Sequence, residues 1–170
     1  MIEPKVFEDQ RGFFFKSFNH KKFEDDIGRM VTFVQDNHSE FSKGILGDLY
    51  DHLPPYAHSI HVCAVHDKAF DISEDVFKAA PTFGQWAAET LSDDSKKQLR
   101  ISAGLAHDFL TMSDRAKFMY KPPNYYSSES ERSLPWDDTD VDMNWHHSTT
   151  MTVSFKGEIK VKYFEAELFK

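Results

Sequence analysis

The sequence predicts an all-β protein with one short helix near its N-terminus. Phenylalanine is unusually frequent, with 16 of 170 residues, and three Trp and six Tyr bring the aromatic content to 15%. Aromatic side chains favour half-buried strands. Short apolar segments separated by turn residues continue from residue 30 to residue 120, which is typical of a barrel or sandwich. Because no linker or repeat interrupts the chain, we expect residues 1–170 to form a single domain.

The N-terminal region carries the signals of one strand and one helix. An aromatic strand over 11–15 follows the turn-like residues 8–10. Asn19 is a suitable N-cap residue, Phe23 lies on the apolar stripe of the following turns, and Gly28 suits the position after the last turn. We therefore predict a short helix between Asn19 and Gly28.

The remaining segments have strand character and are bounded by turn residues. The predicted strands are 30–38, 45–53, 59–65, 69–76, 84–91, 100–101, 108–112 and 116–120. A last strand is predicted over 150–162, after a loop-rich stretch at 125–142.

Composition excludes several classes of partner. The formal net charge of -8 and the lack of a Lys/Arg stripe argue against nucleic acid. No apolar run approaches the roughly 20 residues of a membrane span, and no secretory signal is visible, so we expect a cytoplasmic protein without a membrane partner. Cys63 is the only cysteine and cannot form an internal disulfide.

Several stretches resemble the dTDP-4-dehydrorhamnose 3,5-epimerase family. They are VFEDQRGFF (6–14), FVQDNHS (33–39), PTFG (81–84), GLAH (104–107), WDD (136–138) and EAELF (165–169). The resemblance implies a double-stranded β-helix, the cupin or jelly-roll barrel, with a short N-terminal helix and minor C-terminal elements. It also implies a homodimer that moves protons at C3 and C5 of a dTDP-linked 4-keto-6-deoxy sugar without a cofactor.

The resemblance further implies two groups of site residues. The proton-transfer group comprises His107, Asp71 and Tyr120. The group that holds the nucleotide comprises Arg11, Phe14, Gln35 and Asn37.

Other family positions are replaced in this chain. Tyr50 stands where the family has its catalytic histidine, Gly47 where it has an arginine that contacts the diphosphate, and Cys63 where it has another arginine. A tyrosine, with a pKa near 10, is a poor substitute for an imidazole base. The lysine that the family uses to steady the enolate is also replaced. Losing a base and losing such a cation each costs on the order of a hundredfold in rate, so we expect the family's own reaction to be impaired. The replacements lie mainly in 47–74 and 100–108, and they indicate a pocket rewritten by divergence or by engineering.

Three hypotheses follow for the rewritten pocket. In the first, the chain remains an epimerase that uses His107, Asp71 and Tyr120 with a local base such as His52. In the second, Cys63 is the nucleophile of an esterase, and His61, which leaves the same face of a strand, or another nearby histidine is its base. In the third, histidines including His52 bind a metal as in many cupins, although the usual His-x-His pair is missing, and we therefore predict no metal site.

Overall fold

In a computed structural model the chain consists mainly of antiparallel β-strands, which confirms the all-β prediction. The structure describes residues 1–47, 49–53, 60–145, 150–153 and 161–168, with only the backbone for residues 50, 51 and 60–65. The elements are β1 Val6–Asp9, β2 Gly12–Phe15, α1 His20–Ile27, β3 Asn37–Ser42, β4 Tyr50–His52, β5 Ile60–Asp75, β6 Trp86–Ser92, β7 Gln98–Ile101, β8 Leu105–Lys121, β9 Glu131–Ser133 and a 3-10 turn at Tyr163–Glu165.

The helix α1 begins and ends where the sequence predicts. The side chain of Asn19 accepts a hydrogen bond from the backbone N–H of Lys22 at 2.9 Å. Gly28 adopts a left-handed conformation with φ of 68°, and its N–H donates to the carbonyl of Glu24. These two caps satisfy backbone groups that the short helix leaves open at its ends.

Two long strands form the centre of a seven-stranded sheet. The order along the sheet is β6-β5-β8-β4-β9, while β3 also pairs with β8 and β7 also pairs with β5. All the pairs between these strands are antiparallel. The strands β1 and β2 form a separate hairpin. The sheet built around β5 and β8 therefore brings together strands from a large part of the chain, from β3 to β9.

The opposite faces of β5 and β8 belong to two hydrophobic cores. The large core includes Phe70 and Ile72 of β5, together with residues from the C-terminal part of the chain. The small core contains Ala69, Leu91, Ile101, Ala116 and Phe118, with Phe41, Leu99, Leu105, Phe109 and Tyr120 packed against it. Because strand residues alternate between faces, neighbours along β5 belong to different cores.

Several predicted boundaries are wrong. The segments 59–65 and 69–76 join into β5, and 108–112 and 116–120 join into β8. The strand expected over 30–38 begins only at Asn37, since residues 30–36 pair with no ladder. The described parts of 150–162 form no strand, although Thr152 makes a single bridge to Ile45. The strands β1 and β9 were not predicted.

Within the described part of the chain, no helix combines the length and the apolar character that crossing a bilayer requires. The only α-helix there, α1, has 8 residues.

Candidate functional site

A buried imidazole and carboxylate form the centre of the candidate site. Nε2 of His107 lies 2.9 Å from Oδ2 of Asp71, and the two residues are 8% and 0% exposed. In the β5–β8 ladder Asp71 is opposite Phe109 and His107 is opposite Ser73, so the pair lies diagonally across one face of the sheet. The other carboxylate oxygen, Oδ1 of Asp71, has no hydrogen-bond partner among the described residues. The carboxylate can therefore orient the imidazole without being shared with another described group.

The pair faces the small core. Asp71 follows Ala69 by two residues on β5, and Ala69 belongs to that core. On β8 the His107 ring lies 6.4 Å from the ring of Phe109, measured between centroids, and Phe109 lies 4.2 Å from Phe118. The Phe109 ring thus lies beside the histidine, with the Phe118 ring packed behind it, and these apolar rings lower the local polarity.

Tyr120 packs against the same core as His107. The two residues are separated by an odd number of positions along β8, so simple alternation would place them on opposite faces of the sheet. The alternation is broken by an irregularity in the ladder: Thr111 pairs with Ala69 and Ala116 pairs with Asp67, so residues 112–115 of β8 oppose a single residue of β5. Extra residues in one strand change which side chains face inward. After this bulge Ala116, Phe118 and Tyr120 all contact the small core.

Gln35 and Asn37 lie next to Tyr120. Asn37 is directly opposite Tyr120 in the β3–β8 pair, and the Gln35 amide donates to Oδ1 of Asn37 at 2.8 Å. Directly opposite residues share one face of a sheet. The structure therefore brings two of the four predicted nucleotide-binding residues to the side of the sheet that carries His107 and Asp71.

Arg11 and Phe14 lie elsewhere, on the β1–β2 hairpin. The backbone N–H and the guanidinium of Arg11 both donate to the carboxylate of Asp9, and the Phe14 ring contacts Phe7 at 6.4 Å. Phe14 is 61% exposed. Among the described residues, none of the contacts of Arg11 or Phe14 reaches His107. These two residues are not brought together with the buried pair within one chain.

The other candidate catalytic residues, which are His52, Cys63 and His61, are only partly described. His52 is buried, and its ring lies 5.7 Å from the Tyr126 ring. Cys63 is paired with Gln98 and Met119 through its backbone, and His61 with Arg100 and Lys121. The side chains of Cys63 and His61 lie outside the described residues.

Gly47 and the side chain of Asp108 lie close together. A Cβ atom added at Gly47 would lie 2.4 Å from Oδ1 of Asp108 and 3.2 Å from the Phe109 ring. Oδ1 of Asp108 also accepts a hydrogen bond from the N–H of Phe109 at 2.6 Å. The space that a side chain at position 47 would enter is therefore filled by a carboxylate, and this contact was not foreseen from the sequence.

A further feature of the site was missed from the sequence. It is the aromatic group formed by Phe41, Phe109 and Phe118, for which the alternation of apolar residues along 105–109 and 116–120 is a usable signal. Glu74, a fully buried carboxyl, lies on the other face of β5. Within the described ranges, no three His, Cys, Asp or Glu side chains are grouped so that they could hold a metal ion.

Comparison with known proteins assigns the chain to a family. The sequence profile of the family described as dTDP-4-dehydrorhamnose 3,5-epimerase matches residues 1–163. The chain belongs to the dTDP-4-dehydrorhamnose 3,5-epimerase family. A family member from Shigella flexneri is 48% identical over 145 residues, which cover 85% of this chain and 80% of that protein. Another from Salmonella typhimurium is 46% identical and covers 92% of this chain and 85% of its own length.

Solved structures of family members have the same fold. An epimerase from Legionella pneumophila, crystallised with dTDP-4-keto-L-rhamnose, has a TM-score of 0.87 and 37% identity, covering 91% of this chain and 82% of its own. An epimerase from Elizabethkingia anophelis has a TM-score of 0.89 and 35% identity, covering 95% of this chain and 89% of its own. The cupin-type fold expected from the resemblance is thereby confirmed.

Proposed function

We propose that this protein moves protons at the carbons that flank the ketone of a dTDP-linked 4-keto-6-deoxy sugar, and that His107 and Asp71 carry the transfer. Membership of the epimerase family supports the reaction class. The Legionella pneumophila relative, whose crystal contains dTDP-4-keto-L-rhamnose, supports the substrate class. The single observation that carries the proposal is the buried hydrogen bond of 2.9 Å between His107 and Asp71.

The geometry of this pair suits a general base. When Nε2 of His107 donates its proton to Asp71, the lone pair of the neutral ring is on Nδ1. That nitrogen can accept a proton from a carbon next to a carbonyl, and the carboxylate stabilises the imidazolium that results. Tyr120 borders the same core and supplies a hydroxyl that can return a proton.

The residues Gln35 and Asn37 beside Tyr120 are proposed to contact the nucleotide. They offer amide donors and acceptors, already ordered by their mutual hydrogen bond. Tyr50 lies opposite His107 in the β4–β8 pair, at the position where the resemblance places the family's base. We propose that this replacement makes the reaction slower than in relatives that retain a histidine there.

The experiment is solvent deuterium exchange. Incubation with dTDP-4-keto-6-deoxyglucose in D₂O is expected to introduce deuterium at C3 or C5, detected by NMR and mass spectrometry. His107→Asn is expected to slow exchange by about a hundredfold or more. His38→Asn changes an exposed histidine on β3 and serves as the matched control with unchanged exchange. If exchange is absent at high protein concentration, or if His107→Asn exchanges as fast as the parent, the proposal is wrong.

We also infer that a second copy of the chain covers the β1–β2 hairpin. Phe7, Phe13 and Phe14 are 52%, 56% and 61% exposed, and a two-stranded hairpin is marginally stable unless another surface covers it. Arg11 and Phe14 then contact a nucleotide only in the assembled homodimer. Sedimentation velocity is expected to show a dimer that Phe14→Ser weakens, whereas a monomeric parent protein would contradict the inference.

We further propose that residues 1–170 form a single domain, which the match of the family profile to residues 1–163 supports. We also propose that the protein acts in the cytoplasm on a small-molecule substrate. We do not propose the esterase, because no observation on the described residues favours a reactive Cys63.

A further inference from the structure

Glu74 is an acidic side chain placed in the large core. It is opposite Trp86 of β6 and Ala106 of β8, and it shares its face of β5 with Ile72. The residue is 0% exposed, and neither oxygen of its carboxyl has a hydrogen-bond partner among the described residues. Ionising a carboxyl in such surroundings is costly because the charge loses its water without gaining a partner.

The groups around Glu74 increase this cost. Tyr163 is buried and interacts with Glu74. Its hydroxyl donates to the backbone carbonyl of Asp75, the residue after Glu74, at 2.8 Å. Burial raises the pKa of Glu74 to about 8, the charges of Asp138 and Asp75 add to the rise, and the nearby Tyr163 hydroxyl offsets part of it. Trp86, the residue opposite Glu74 on the neighbouring strand β6, carries no charge.

β8 contributes one more acidic residue to this face. Asp108 lies directly opposite Ile72 and so faces the same core as Glu74. The titratable groups on the described elements packed around Glu74 are therefore Asp75, Asp108, Asp138 and Tyr163. The three carboxyl groups cannot compensate a negative charge on Glu74, and the Tyr163 hydroxyl offsets only part of its cost.

Tyr163 belongs to a C-terminal segment, residues 161–168, that packs on this core. Tyr163, Ala166 and Leu168 are its buried residues. Besides the Tyr163 hydroxyl bond to Asp75, its polar ties are a bond from the Tyr163 N–H to Asp138 at 2.9 Å, one from Lys78 to the carbonyl of Ala166 at 3.0 Å, and an ion pair between Glu167 and Arg132 at 2.8 Å. Such a short segment opens at lower free energy than strands that are paired on both edges.

The segment also supports the strand next to the candidate site. Arg132, which pairs with Glu167, lies on β9, and β9 pairs with β4. Tyr50 of β4 is in turn opposite His107. Detachment of the segment would remove one of the contacts that hold β9, and through it β4, in place.

We propose that the C-terminal segment 161–168 is a pH-sensitive element whose docking on the large core requires a proton on Glu74. When Glu74 loses that proton, the buried charge is relieved by detachment of Tyr163, which admits water to the carboxyl. Docking therefore weakens as the pH rises from about 5 to about 8. Above that range it weakens no further, because Glu74 is then ionised both when the segment is docked and when it is detached. This inference does not depend on the proposed function.

The test is hydrogen exchange of the parent protein and Glu74→Gln between pH 5 and pH 9, after correction for intrinsic exchange rates. For peptides that cover 161–168, the opening equilibrium of the parent is expected to rise by up to about tenfold per pH unit and to level off near pH 8. Glu74→Gln is expected to show no such rise. Peptides from β6 are the internal reference and are expected to stay protected.

Matched variants separate this mechanism from simpler ones. Glu165→Gln removes an exposed carboxyl from the same segment and is expected to respond to pH like the parent. Glu74→Val tests the same expectation as Glu74→Gln if the amide impairs folding. The proposal is overturned if the parent and the Glu74 variants open with the same pH dependence, or if β6 loses protection together with the segment.

Discussion

The contact between Gly47 and Asp108 predicts that position 47 accepts no side chain while Asp108 is present. The backbone does not demand glycine, because Gly47 is absent from the glycines with positive φ. The demand is one of space: an added Cβ would lie 2.4 Å from Oδ1 of Asp108, whereas real Cβ atoms essentially never approach closer than 3.0 Å. Asp108 is 1% exposed and bonded to the N–H of Phe109, so its carboxylate cannot turn away freely.

Gly47→Ala is therefore expected to lower the free energy of unfolding by about 1 to 3 kcal/mol, the usual cost of overpacking. Asp108→Ala alone loses the bond to the Phe109 N–H and is expected to cost about 1 to 3 kcal/mol. In the Asp108→Ala background the 2.4 Å clash is gone and only the 3.2 Å approach to the Phe109 ring remains, so adding Gly47→Ala is expected to cost at most about 1 kcal/mol.

Equilibrium urea denaturation of the four proteins measures this double-mutant cycle. The expected coupling between the two positions is about 1 to 2 kcal/mol. If Gly47→Ala costs the same with and without Asp108, the clash is not what excludes a side chain, and the reasoning is refuted. A positive result also means that the family's arginine cannot be restored at position 47 unless position 108 is changed with it.

Three other predictions each concern the substitution of a single residue. Asn19→Ala removes the cap on the Lys22 N–H and is expected to cost about 1 kcal/mol in urea denaturation, whereas Asn19→Ser keeps most of it. The raised pKa of Glu74 means that the folded state holds a proton more tightly than the unfolded state. The contribution of Glu74 to the free energy of unfolding is therefore highest below about pH 4.5. It falls by about 3 to 5 kcal/mol as the pH rises to about 8. If the stability of Glu74→Gln has the same pH slope as that of the parent, this prediction is wrong. Asp71→Asn is expected to slow deuterium exchange by about a hundredfold or more through loss of the His107 orientation, with circular dichroism as the check on folding.

The sequence predicts the helix α1 well because its signals are local. Asn19 and Gly28 act on backbone groups within one turn, so their effect does not depend on the rest of the fold. The strand boundaries depend on pairing instead. His66, Asp67 and Lys68 have turn character and predict a break, yet β5 continues through them with register shifts and a positive φ of 66° at Asp67. A bulge and a turn use similar residues, and only the neighbouring strand decides between them.

The same limit applies to the candidate site. His107 and Asp71 could be named from the family resemblance, and the pairing of β5 with β8 places them diagonally across one face of the sheet. The position of Tyr120 could not be derived from alternation, because it depends on the bulge at residues 112–115. The Ser113 hydroxyl stabilises that bulge by accepting from the N–H of Lys68 at 2.9 Å and donating to the carbonyl of Arg115 at 2.6 Å. Because this hydroxyl bonds backbone groups that would otherwise need a partner in the neighbouring strand, β8 can contain extra residues and remain paired in the sheet.

The two faces of β5 predict that catalytic and stability effects can be separated. Asp71 faces the small core with His107, whereas Glu74 faces the large core with Tyr163. At pH 6, where Glu74 holds its proton, Glu74→Gln replaces one neutral polar group by another and is expected to leave deuterium exchange unchanged. Asp71→Asn at the same pH is expected to abolish most exchange. If instead both substitutions impair exchange to a similar degree at pH 6, the two faces are not functionally distinct, and the assignment of proton transfer to the small-core face is wrong.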